Sequence, residues 1–325
     1  MFRYVFAVAE RAYCCWEHDL PERNRRFLAS VETEYFSYLA LAHGASLDGA
    51  DEQKAAVALR AAYHHGLETL FTLLGALVQA PDAVPAWAIK CQTAQLRDVT
   101  TALLHGQSIL TQLGRQSITF DAVSELVHRG CWEDTPGIQS TTSRFSRLWS
   151  RLAGELLDES NIAEYNSIKH GFRLSAGGTI IRIGAESEYG VMAAPEAMRT
   201  IGSSPHGSRF FRSEPIVGAE NAKHNFRIRR ASLNWRAEAM VQRLHLIAYS
   251  INNVVACLRC LHGEALDTVP FHRPEDDGLF DSAWQWGVGV TVADFDTVVQ
   301  AEGDTPASHA ELLAELESRS PSELV

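Results

Sequence analysis

The stretch AEYNSIKHGFRLSAGG, residues 163–178, places Tyr165, Asn166, Lys169, His170 and Arg173 within nine positions. These are types that hold an anion and move a proton. An imidazole serves as general acid or base, and nearby cations stabilise developing phosphate charge. No acidic residue occurs from 165 to 182. Gly177-Gly178 reads as the two-residue turn of a hairpin over 172–183. In that register Phe172 faces Ile183, Leu174 faces Ile181 and Ala176 faces Thr179, while Arg173 stands across from Arg182 on the other face. Like charges so placed repel. The pair therefore predicts an anion above it, since guanidinium groups grip phosphate in a bidentate way. The expected site is catalytic His170, with Asn166 orienting it and Tyr165 lending a hydroxyl, beside an anion cradle of Lys169, Arg173 and Arg182. The structural alternative is a helix C-terminus at which Lys169 and His170 answer the dipole.

A second basic stretch, NAKHNFRIRRASLNWR over 221–236, is also free of acids. As a strand it is expected to turn Phe226 and Ile228 to the core and Arg227 and Arg229 outward, extending the positive surface. A charged edge strand is the common alternative. Metal-type spacings are sparse. Cys257, Cys260 and His262 in CLRCLH lack a second ligand pair. Glu125 and His128 have the Glu-x-x-His spacing of di-iron bundles, and His64 and Glu68 lie one helical turn apart, but that architecture needs two such motifs and further glutamates. No metal or cofactor is expected. His245, Asn252 and Arg259 recur every seven residues along a polar flank.

These residues need elements to position them. Apolar stripes at three and four spacing predict helices. One carries Phe2, Val5, Ala9, Ala12 and Trp16. A second runs from Leu28 to Ala42, and a third covers about 51–80 and stops at Pro81. The next holds Leu96 through Leu113, and others cover about 121–129 and 142–157. The stretch SNIAEYNSIKHG forms a short helix with Ser160 as its cap. The cleanest stripe is Met240, Leu244, Ile247, Ile251, Val254, Leu258 and Leu261. Strands are expected at 172–183, SRFFRS and HNFRIRRA. The fold class is mainly α: a helical bundle with a small antiparallel β insertion before the last long helix. The expected segments are a bundle over 1–171, an insertion over 172–234, a bundle helix over 235–264 and an irregular acidic region over 265–325, with a frayed helix at its end.

Composition bounds the classes of function. The 325 residues are 46% hydrophobic and 21% charged, with a formal charge of -11. That charge argues against a general nucleic-acid coat without bearing on a local basic groove. The apolar opening MFRYVFAV is interrupted by Glu10 and Arg11, too early for a secretory leader. No stretch reads as a bilayer span. Six scattered cysteines do not form a disulfide framework. The expected compartment is the cytoplasm.

The segment YNSIKHG resembles the signature of the HEPN superfamily, in which an Arg followed by a polar residue precedes a His near a helix end. Asn166 matches the polar position and His170 the His, while Tyr165 stands where the family has Arg. Arg60 and His65, in RAAYHH, have a similar separation. The resemblance implies an RNA or nucleotide ligand, a homodimer and metal-independent RNA cleavage. The competing classes are a non-enzymatic helical scaffold or interaction protein and, more remotely, a di-metal bundle oxidase.

Overall fold

In the computed structural model, residues 3–129, 131, 138–171, 173–216, 224–294 and 306–318 are described. The chain is mainly α. It divides into two compact units, Met1–Tyr165 with Arg236–Gly287, and Asn166–Trp235 with Val288–Val325.

The first unit holds α1 (Leu20–Ser30), α2 (Tyr35–Gly44), α3 (Glu52–Gln79), α4 (Val84–Lys90), α5 (Thr93–His105), α6 (Phe120–Val127), α7 (Ile138–Leu157), the start of α8 (Glu159–Lys169), α9 (Ala237–Leu261) and α10 (Leu279–Ser282). The boundary between the units falls inside α8, after Tyr165. The stripes explain the packing of α3 on α9 and of α2 on both. Tyr63, Leu67, Leu70, Leu74 and Leu77 of α3 are buried, as are Met240, Leu244, Ile247, Ile251, Val254 and Leu258 of α9. By length and composition α9 is apolar enough to cross a membrane, but 67% of that stretch is buried inside the fold. The run from Leu28 to Ala42 is two helices, because Val31 takes extended backbone and ends the first.

Two expected helical stretches are hairpins. Residues 3–16 are not helical: β1 (Arg3–Val8) pairs antiparallel with β2 (Arg11–Trp16), and Phe2 lies outside the described residues. Aromatic residues favour strands when they stack across a ladder, and the Phe6 and Tyr13 rings do so at 5.9 Å. Ala9 turns the corner with φ 52°. The fully buried Gln79 holds that strained turn: its Oε1 accepts from Ala9 N at 2.9 Å and its Nε2 donates to Ala9 O at 3.0 Å. Leu110 and Leu113 also leave the helical stripe. Gly106, with φ 61°, ends α5. The chain then forms β3 (Ser108–Thr111) and β4 (Gly114–Ser117).

The second unit contains β5 (Leu174–Ala176), β6 (Ile181–Ile183), β7 (Arg199–Gly202), β8 (His206–Pro215), β9 (Phe226–Trp235), β10 (Val292–Asp294) and α11 (His309–Ser318). One sheet has the order β10-β9-β8-β5, and β6 pairs with β7 apart from it. The expected hairpin across Gly177-Gly178 is therefore not formed. Leu174 pairs with Phe210, and Arg182 pairs with Thr200. Phe172 lies outside the described residues. The two glycines serve close passage rather than a turn. Gly177 N donates to Gly207 O at 2.9 Å. A Cβ on Gly178 would sit 1.9 Å from the Ser204 carbonyl oxygen. The buried amide of Asn234 then takes Thr179 as a strand neighbour would, accepting from its N at 2.7 Å and donating to its O at 2.8 Å. The chain is thereby carried onward instead of folding back.

The faces of β9 are also the reverse of those expected. Phe226 and Ile228 are exposed, while Arg227 and Arg229 are half-buried. Strand register is set by the face that buries most. Here that face is Ala231, Leu233 and Trp235, all buried, and alternation carries Arg229 and Arg227 along with it. The acidic end of the chain does form a helix, α11, with Leu313 and Leu316 exposed.

Candidate functional site

The expected site residues are distributed over several elements. Tyr165 does not offer a free hydroxyl. Its OH donates to Glu68 Oε2 at 2.9 Å, and its ring stacks on His64 at 5.0 Å. Burial and the neighbouring Glu68 carboxylate push its ionisation upward. Asn166, Lys169 and His170 are exposed on the last turn of α8. The Asn166 backbone carbonyl gathers this turn, accepting from His170 N at 3.0 Å and from Arg173 Nη2 at 3.4 Å. Arg173 N donates to Ser167 O at 2.7 Å, so Arg173 follows directly on the helix end. Arg182 stands exposed on β6, in a sheet separate from β5, and the cross-strand arginine pair does not exist. Arg229 Nη1 donates to Glu214 of β8 at 2.9 and 3.1 Å, which sets an acid from the neighbouring strand against the second basic stretch.

Among the described residues a buried set of interacting charged groups lies in the helical unit, and no spacing in the sequence assembles it. Arg60 of α3 donates from Nε to Glu164 Oε2 at 2.8 Å and from Nη2 to Asn161 Oδ1 at 2.7 Å. His64 Nε2 meets the same Glu164 oxygen at 2.9 Å. All three charged or titratable side chains are buried. Burial alone would raise the Glu164 pKa, but Arg60 and His64 hold it well below the usual carboxylate range. Burial and the Arg60 charge both keep His64 neutral. On α7, Glu155 receives Tyr63 OH at 2.5 Å, Trp284 Nε1 at 2.9 Å and Arg243 Nη1 at 3.1 Å. Burial opposes ionisation there too, and Arg243 and these hydrogen bonds outweigh it. The available signal was Arg60 and His64 one turn apart inside an apolar stripe. Charged residues in such a position are buried only when paired.

Several chemistry-bearing residues elsewhere have committed partners. His128 is buried between Ser124 and Asn253. His262 Nε2 contacts Pro81 O at 2.9 Å, and Cys257 is a buried thiol pushed up to about 12 by burial and nearby thiols. Along α9, His245 contacts Ser37, and Arg259 pairs with Glu264. Asn252 donates to Pro270 O beside a cleft of about 310 Å³ that Tyr38, Tyr249 and His272 help line. Among the described residues no three His, Cys, Asp or Glu side chains are grouped as a metal site. No family model, curated protein or solved structure matches the chain. What the arrangement can do is thus set by its own residues. The ion network in the helices is buried, whereas Lys169, Arg173, Arg182, Arg199, Arg209 and Arg230 are exposed.

Proposed function

We propose that this protein is a HEPN-like helical-bundle protein with a β insertion, which binds RNA or a nucleotide through the cationic surface of residues 166–235. One observation carries the reading. That segment has ten Lys and Arg against five Asp and Glu, whereas the rest of the chain has nineteen against thirty-five. Lys169, His170, Arg173, Arg182, Arg199, Arg209 and Arg230 are exposed. A local positive field binds polyanions whatever the total charge. His170 is an exposed imidazole beside Lys169 and Arg173 and serves as the proton-transfer group, so His170→Ala should leave binding intact and abolish any RNA cleavage. The second reading is a scaffold without catalysis. It is favoured by Tyr165, which replaces the family Arg and has its hydroxyl committed to Glu68. The six cysteines are free thiols, which suits a cytoplasmic protein.

Fluorescence anisotropy with a labelled RNA oligonucleotide tests the binding. The triple variant K169Q/R173Q/R182Q should bind more weakly and lose about 0.7 of salt slope for each phosphate contact removed. Its stability should stay within about 0.5 kcal/mol, because these side chains are exposed. Unchanged affinity in this variant would count against the proposal.

The same reading includes a two-fold homodimer. The α9 stripe does not supply its surface, since that stripe is consumed within the first unit. Tyr35, Tyr38 and Leu41 form an exposed apolar row on α2 and are the better candidates. Light scattering at micromolar concentration should report a dimer, and Tyr38→Glu should shift it to monomer. A monomeric wild type would rule the dimer out.

A further inference from the structure

We infer that the exposed face of the β8–β9 ribbon is a stacking platform for single-stranded RNA, with Phe211 and Phe226 as its ring surfaces. The inference rests on the polyanion reading of residues 166–235 and specifies the form of the ligand. In the antiparallel register Phe211 stands opposite Arg230, Ser213 opposite Ile228 and Pro215 opposite Phe226. Alternation puts all six on one face. Phe211 is 59% exposed, Phe226 53% and Ile228 71%. The opposite face carries Arg212, Glu214, Arg227 and Arg229, all half-buried. Two phenyl rings and an isoleucine held toward water do not stabilise the fold. A contiguous patch of this kind marks a binding surface.

The ribbon is also accessible. β5 pairs with β8 only as far as Phe210, and β10 pairs with β9 only as far as Ala231. Among the described residues, 211–215 and 226–230 therefore extend past the pairing with β5 and β10, and Ala307 and His309 meet the ribbon only at Asn225 and His224. The charges decide the occupant. Arg230 lies directly across from Phe211, and Arg209 lies two residues before Phe211 on the same face; both are exposed. An apolar protein partner would have to desolvate Arg230 in the middle of the contact. A nucleic-acid strand instead sets bases on the rings and phosphates by the guanidinium groups. Phe211 and Phe226 lie about 13 Å apart along the ribbon, from four residues of strand rise, which is room for two separate bases. A duplex keeps its base faces in its own stack and cannot use the rings, so the ligand is single-stranded.

The test is fluorescence anisotropy with a labelled oligouridylate and with a blunt RNA duplex of equal length, at two salt concentrations. Wild type should prefer the single strand. Phe211→Leu and Phe226→Leu keep apolar bulk but remove the ring, and each should weaken single-strand binding roughly tenfold with the salt slope unchanged. Phe211→Tyr and Phe226→Tyr should retain it. Heparin, which needs only charge, should bind all variants alike. A double Leu variant that melts with wild type and binds the oligouridylate equally well overturns the platform and leaves the polyanion reading standing. A wild type that binds neither RNA nor heparin overturns both. Self-association that is lost in the double Leu variant while RNA binding is unchanged assigns the face to a protein contact and also overturns it.

Discussion

Glu164→Ala should cost about 3–5 kcal/mol of unfolding free energy, the scale for removing one partner of a buried ion pair. Glu164 is fully buried and accepts from Arg60 at 2.8 Å and meets His64 at 2.9 Å. Without it Arg60 keeps Asn161 and the Met240 sulfur as hydrogen-bond neighbours, and Glu155 still acts on its charge without replacing the direct carboxylate contact. The loss thus includes the desolvation of a buried guanidinium deprived of its direct carboxylate, beyond the attraction forgone. This mechanism separates the single variant from a double one. Arg60→Met with Glu164→Leu removes both charges and should recover most of the loss, because apolar replacement of a whole buried pair is close to neutral. Urea unfolding measures both, through the midpoint at constant slope. A single variant within 1 kcal/mol of wild type, or a double variant as unstable as the single, would show that the network does not bear on stability.

The same network shows which parts of the structure were legible in sequence. α3 and α9 were legible because their stripes are local: each buried leucine predicts the next at three or four residues. Their terminators, Pro81 and Gly263, also act locally. The contact of Arg60 with Glu164 spans 104 residues, and no spacing rule covers that distance. The strands at SRFFRS and HNFRIRRA were legible as β8 and β9, but facing and pairing in the β segments were not, for the same reason. Phe226-x-Ile228 looks like an inward face in isolation, but its facing is fixed by Ala231, Leu233 and Trp235 at the far end of the strand. Gly177-Gly178 has the composition of a hairpin turn, yet what places it is the approach of Ser204 and the amide of Asn234. Of the candidate site, the cationic character of residues 165–182 was legible from composition. The arginine pairing depended on the hairpin and went with it. The Tyr165 hydroxyl was claimed by Glu68, again a partner from another helix.

Stability should also fall steeply as the pH drops from 6.5 toward 4, and His128 should account for about 3 kcal/mol of that fall. Burial lowers its pKa from 6.5 to about 4. Hydrogen bonding fixes the neutral form independently. Asn253 Oδ1 accepts from His272 N at 2.7 Å, and its Nδ2 donates to His272 O at 2.8 Å, so the amide cannot flip. The Nδ2 that faces His128 Nε2 at 3.2 Å is therefore a donor, and Nε2 must accept. The ring proton sits on Nδ1, which donates to Ser124 O at 2.9 Å. A second proton would set two donors against each other beneath Phe145, whose ring lies 4.7 Å away. The sign follows from linkage. The folded pKa lies below the unfolded one, so the unfolded state takes up the proton first. The stabilisation is complete above 6.5 and is lost as the pH falls toward 4. His64 and His245 are lowered by burial too and act in the same direction. The contribution of His128 is thus read as a difference. His128→Asn should be less stable than wild type at neutral pH, and the gap should narrow between pH 6.5 and 4, because only wild type has this proton to gain. Parallel stability curves for the two proteins across that window would show that His128 titrates alike in both states.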